Sequence, residues 1–169
     1  MLKVNSTIIY GSQVCKVKDT CEMTVGKVTR RYYVLGPVYD DKNVIYVPMD
    51  NEKLTEKIKE ILSAEEICEI INSMPDNEPY WIDDDKERTA EYKKTLETGN
   101  REEIIRIIKT LYEKRKEFSA KGKKLHSMDE IIFERAEKTI YDEFALVLNI
   151  KREEVVPFIL KQVKIDPAK

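Results

Sequence analysis

The chain has little of what catalytic and metal-binding sites are usually built from. Its 169 residues include one histidine and three cysteines. No glycine-rich phosphate loop and no nucleophile elbow occurs, which removes common nucleotide-handling and acyl-transfer signatures. Cys15 and Cys21 are separated by five residues, and Cys68 and His126 lie far off, so no common zinc spacing can be assembled. An odd number of cysteines fits reduced thiols better than a disulfide framework. The apolar runs are too interrupted for a membrane span, and the first residues, MLKVNSTIIYGSQV, carry no cleavage-type signal. These absences lead us to expect a cytoplasmic protein without membrane contact, with no cofactor, no metal and no enzymatic activity.

What is present is a core's worth of hydrophobic residues, 41%, together with 37% charge of mixed sign. That is too apolar for a disordered chain, and the length suits one ordinary domain or two small ones. The net charge of −2 hides a sharp division. Residues 51–85 hold 3 basic against 11 acidic residues, whereas residues 86–124 hold 13 basic against 7 acidic. The only tryptophan, Trp81, stands at the acidic edge of that switch.

Residues 1–50 read as β-structure. Short runs rich in Val, Ile and Tyr (7–10, 14–18, 30–35 and 44–47) are separated by turn chemistry at Gly11-Ser12, around Gly26, at Gly36-Pro37 and through 40–43. A fifth, closing strand is expected at about 56–61. Strands this short and closely spaced suit a small curled sheet or barrel of the SH3 or Tudor type. From Ser63 the pattern is helical. Ser63-Ala64-Glu65-Glu66 is a capping box, and Ile67, Ile70, Ile71 and Met74 share one helical face. Pro75 and Pro79 end that helix and stiffen the linker that delivers Trp81. Asp83-Asp84-Asp85 places carboxylates at the next helix start, and Gly99 is its expected left-handed end. Asn100 caps a helix over 101–120 with an apolar stripe of Ile104, Ile108, Leu111 and Tyr112. Ser127-Met128-Asp129-Glu130 reads as a second capping box, opening a helix over 127–148. A last helix is expected over 152–163, bent by Pro157. The expected class is α+β: a small Tudor- or SH3-like barrel over 1–62, followed by an all-helical module over 63–169.

The basic stretch is the strongest functional signal. Arg101, Lys109, Lys114, Arg115 and Lys116 lie off the apolar stripe, Lys123 and Lys124 follow in a loop, and Arg88 and Lys93 sit on the preceding helix. Such cations can neutralise phosphates and release counterions, which gives affinity without sequence reading. Their bland alternative is a solvated face with i,i+4 ion pairs. Trp81 divides in the same way. It is either an anchor packing the linker against the helices, or an apolar wedge exposed to a DNA minor groove. His126 reads as a surface residue before a helix.

The order and spacing of several pieces resemble the CarD-like bacterial transcription regulators. Ile8-Ile9-Tyr10, Tyr32-Tyr33-Val34-Leu35 and Val47-Pro48 stand where that family has VVYP, YYVL and VP. Further on, the matching pieces are Trp81, Arg88, Leu96, Gly99-Asn100, Leu111-Tyr112, Ser127-x-x-Glu130 and Glu143-Phe144-Ala145. The first module also resembles the polymerase-binding domain of the transcription-repair coupling factor. The resemblance implies an N-terminal module that docks on the β subunit of RNA polymerase, here through Arg30, Arg31 and Tyr46; we expect the protein to be a monomer. It implies a helical module that meets promoter DNA at the upstream edge of the transcription bubble, where a tryptophan wedge stabilises the open complex with little base reading. The chain departs from the family pattern in three places. Tyr10-Gly11-Ser12-Gln13 replaces a YP-x-HG turn, and Tyr46 stands where a basic residue is common. Trp81 lies about one helical turn further from Gly99, with Asp85 at the nearer position; a four-residue shift along a helix would keep the same face. The rival reading is a protein–protein adaptor that never touches DNA.

Overall fold

A computed structural model describes residues 1–164. Residues 165–169, counted above in the helical module, lie outside the described residues. The chain forms two compact units, Met1–Ile61 and Leu62–Lys169.

The first unit is a five-stranded antiparallel sheet in the order β4-β3-β2-β1-β5, built from β1 (Thr7–Tyr10), β2 (Gln13–Val25), β3 (Val28–Pro37), β4 (Ile45–Pro48) and β5 (Ile58–Glu60). Alternation along the strands directs Ile8, Cys15, Val17, Tyr33, Leu35 and Val47 into one small core. Burial pushes the Cys15 thiol up to about 11, so it is an inert core group at neutral pH. The expected closing strand forms between 58 and 60 and pairs with β1, after a single-turn helix α1 (Glu52–Thr55) capped by the Asn51 side chain. The ladder is open where a barrel was expected: β4 and β5 are its two edges. β2 runs well past the expected 14–18. A bulge between Val17 and Asp19 re-aims it, and with β3 it continues as a ribbon to the Gly26-Lys27 turn, where Val25 and Val28 are exposed. Neither face of that ribbon is fully buried, so it leaves no simple alternating apolar signature.

The second unit contains α2 (Ala64–Ser73), α3 (Asp85–Thr98), α4 (Arg101–Ala120), α5 (Ser127–Leu148) and α6 (Val155–Lys164). Its local signals act as their chemistry dictates. Ser63 and Glu66 complete a capping box, Asn100 caps α4, and Gly99 ends α3 at φ 70°. Ile67 and Ile71, Tyr92 and Leu96, Ile104 and Ile107, and Ile132, Phe133, Ala136, Ile140 and Phe144 meet in one core.

Three details differ from the sequence reading. The buried stripe of α4 runs through Ile104, Ile107 and Leu111, while Tyr112 is half exposed because α5 packs on a face rotated from the one expected. His126 caps α5 through its imidazole, which accepts from the Met128 N–H, and Ser127 is the first helical residue. Pro157 lies in the first turn of α6, where a missing N–H is tolerated, so it does not bend the helix. Among the described residues no helix is long and apolar enough to cross a membrane.

Candidate nucleic-acid interface

The segment between α2 and α3 has almost no regular structure, only a short 3-10 turn at Met74–Asp76, so its backbone groups need partners from elsewhere. The helices supply them. Thr110 on α4 accepts from the Tyr80 N–H at 2.8 Å, and the Tyr92 hydroxyl on α3 donates to the Tyr80 carbonyl. Burial pushes the Tyr92 phenol up, which keeps it a donor across the working pH range. Arg106 donates to the Glu78 carbonyl at 2.7 Å, and Lys109 donates to the Asn77 carbonyl at 2.8 Å. The strap thereby fixes Trp81, which is half-buried and packs on the helical core.

Around the indole the contacts are specific. The Arg88 guanidinium lies 4.1 Å from the ring centroid, Lys114 Nζ lies 4.9 Å away, and Phe118 meets the ring edge-on at 6.1 Å. Trp81 Nε1 donates to Asp83 at 3.1 Å. The three adjacent aspartates thus have three separate tasks. Asp83 holds the indole N–H, Asp84 caps α3 by accepting from the Glu87 N–H, and Asp85 accepts from Arg88 at 2.7 Å. The Arg88 bond holds the Asp85 carboxyl below its ordinary value. Trp81 precedes α3, whose cap is Asp84, so its position is set by the strap; the expectation of a shared helix face does not apply.

The expected DNA-contacting cations divide into those engaged within the protein and those left exposed. Arg88 is 1% exposed and makes a two-bond pair with Asp129 at 2.9 and 2.7 Å, so it has no surface to offer a phosphate. Burial works against its charge, yet the bonds from Asp129 and Asp85 outweigh it and raise the guanidinium above its ordinary value. Arg101 grips buried Glu143 at 2.9 and 3.0 Å. Arg115 pairs with Glu130 at 2.5 Å and lies over Phe133. Lys109 is bound to the strap, and Lys114 is shared between Trp81 and Glu117. Lys93, Lys116, Lys123 and Lys124 are exposed, with Lys116 over the Tyr112 ring. Trp81, Arg88 and Lys114 are therefore brought together, while Arg101 and Arg115 are engaged with α5.

Asp129 and Glu143 were missed as partners. Asp129 lies on the same face as Ile132, Phe133 and Ala136, and Arg88 on that of Tyr92 and Leu96. Charges inside the apolar stripes, Arg88 on α3 and Asp129 and Glu143 on α5, were the available signal.

In the sheet unit, strand alternation puts Arg30 on the face of Tyr32 and Val34, which Tyr46 shares through its pairing with Val34. Arg31 falls on the opposite face. Both arginines are exposed and loosely paired, Arg30 with Asp50 at 3.3 Å and Arg31 with Glu22 at 3.9 Å. Among the described residues no group of three or more His, Cys, Asp or Glu could hold a metal ion.

No curated protein matches the chain. Residues 66–159, more than half of its length, match the family model described as CarD, C-terminal domain, and this region includes the strap, Trp81 and the ion pairs around it. The chain belongs to the CarD family of transcription regulators.

Proposed function

We propose that the protein binds RNA polymerase and promoter DNA together and stabilises the open complex at the upstream edge of the transcription bubble. In this reading residues 1–62, a Tudor- or SH3-like module, dock on the polymerase β subunit. Residues 63–169 touch DNA without strong sequence preference, and the protein acts as a monomer in the cytoplasm. The observation that carries it is Trp81: the only indole in the chain, half-buried, contacted by Arg88, Lys114, Phe118 and Asp83, and inside the matched region. A ring held in this way can enter a minor groove without first being ordered, so the cost of unstacking a base step, about a few kcal/mol, is met by contacts already in place. Lys93, Lys116, Lys123 and Lys124 would supply the phosphate contacts, and Arg30 with Tyr46 the shared docking face on the sheet.

The adaptor reading draws its support from Arg88, Arg101 and Arg115, whose charge is engaged inside the protein. One experiment separates the two. Polymerase–promoter open complexes are formed with the parent protein and with Trp81→Ala, and their lifetimes are measured beside retention of each protein on polymerase without DNA. The proposal expects a shortened lifetime with retention unchanged. Equal lifetimes for a folded Trp81→Ala would reject the DNA contact and leave the adaptor.

A further inference from the structure

We propose that Arg88 is a positioning residue for Trp81, setting the plane and depth of the indole in the free protein; this rests on the reading of Trp81 as the DNA-contacting ring. The bonds around Arg88 divide its guanidinium between edge and face. Along the edge, Nε and Nη2 donate to the two Asp129 oxygens on α5, Nη2 donates to Asp85 at 2.7 Å, and Nη1 donates to the Ile82 carbonyl at 2.8 Å. Those bonds run along the edge of the group, and its Cζ stands over the Trp81 ring, 4.1 Å from the centroid.

A structural ion pair would need only Asp129. The bond to Ile82 and the cation–π contact with Trp81 instead reach two successive residues of the strap, at the point where it turns into α3. The remaining contacts complete the hold: Asp83 takes the indole N–H, Lys114 approaches the ring, and Phe118 meets its edge. A lysine at position 88 would keep the charge. As a point charge on a flexible stem it could not present a flat face to the ring while bonding the carboxylates and the carbonyl. The clamp also accounts for an acidic run beside a DNA-facing ring, because Asp83 and Asp85 are committed to holding it.

The test uses the full chain and the fluorescence of its single tryptophan. Arg88→Met alone strands Asp129 in the core, so the paired variant R88M/D129L is used, since replacing a buried ion pair with apolar residues is often tolerated. Folding is checked by circular dichroism. Acrylamide quenching of Trp81 should rise roughly threefold or more in R88M/D129L and in Arg88→Lys, with a fall in anisotropy. Open-complex lifetime should fall toward the Trp81→Ala level in both.

Unchanged quenching in the folded double variant would overturn the proposal. So would full rescue of both readouts by Arg88→Lys, because charge alone would then suffice. Raised quenching with an unchanged lifetime, where Trp81→Ala shortens it, would also reject Arg88 as positioning for function. If Trp81→Ala leaves the lifetime unchanged, the DNA reading itself fails and the functional half of the proposal falls with it; the quenching result still decides whether Arg88 sets the indole.

Discussion

The two units of this protein solve the problem of specifying a fold in different ways. In the sheet unit no charged residue is buried, the arginines of β3 are exposed, and order comes from the backbone ladder and strand alternation. In the helical unit Arg88, Asp129, Asp142 and Glu143 are all buried. Helices satisfy their own backbone bonds, so an irregular strap lying across them must be held by side chains, and charged groups on facing helices do this with direction as well as strength. The difference teaches that the helical unit is the part whose shape depends on particular side chains, and it is also the part that carries Trp81.

The largest test of this contrast is Glu143→Leu. It removes the carboxylate that binds Arg101 and accepts from the Leu62 N–H at 3.0 Å. Breaking one side of such a buried pair should cost about 3–5 kcal/mol, seen as a lower denaturation midpoint of the helical unit. A loss under about 1 kcal/mol would show that the buried charges do not specify this unit.

Next in size is the division between engaged cations and the exposed lysines Lys116, Lys123 and Lys124. Replacing Lys116, Lys123 and Lys124 with glutamine should flatten the slope of log K against log salt for duplex binding by as much as about 3 units, at roughly 0.9 per phosphate contact. Lys109→Gln, which removes a strap contact, should leave that slope nearly unchanged. Equal slopes for parent and triple variant would move the DNA surface elsewhere or favour the adaptor.

A smaller effect is expected at Asp142, where burial pushes the carboxyl above its ordinary value of 3.8 and Arg152, 3.5 Å away, offsets this only in part. A raised value means that the fold holds the proton more tightly than the unfolded chain does. The favourable contribution is complete below about pH 4 and is lost as pH rises through the folded value. Asp142→Asn should therefore be slightly more stable than the parent at pH 7, with the advantage gone near pH 3; denaturant melts at both values check it. An advantage that persists at pH 3 would reject the assignment.

The smallest effect belongs to the sheet unit. Arg30→Glu should change its stability by no more than about 0.5 kcal/mol, because exposed pairs contribute little. If the docking face is right, it weakens capture by the polymerase β subunit while duplex binding persists. Arg31→Glu, on the other face, should weaken capture less. A larger loss at Arg31 would reverse the face.

How much was legible in advance follows the range of the interactions. Ser63, Asn100 and Gly99 were readable because a cap is chosen by groups within three or four residues. The extension of β2 was not, since its ribbon is held by β3 and hides no continuous face. Pro157 was misread because it opens α6 after a 3-10 turn at Arg152–Glu154, and nothing local separates a first-turn proline from an interior one without that boundary. At the site, Trp81 and its neighbouring cations stood out by composition. The roles of Arg88 and Arg101 did not, because a charge is a surface group or a core group only according to what faces it.

The sequence by itself determined the five longer helices, most of the turns, and that one indole stands at the border of acidic and basic stretches. Backbone propensity and capping act over a few residues, so that information is present in every short window. The turn expected at Gly36-Pro37 is instead the end of β3, where Gly36 pairs with Lys16 and Pro37 with Cys15. Only the tertiary structure decided which cations remain available to a partner. Arg88 meets Asp129 across 41 positions, and Arg101 meets Glu143 across 42. Those meetings require α3, α4 and α5 to be packed already, because a guanidinium leaves water only when the carboxylate that offsets its desolvation is in place.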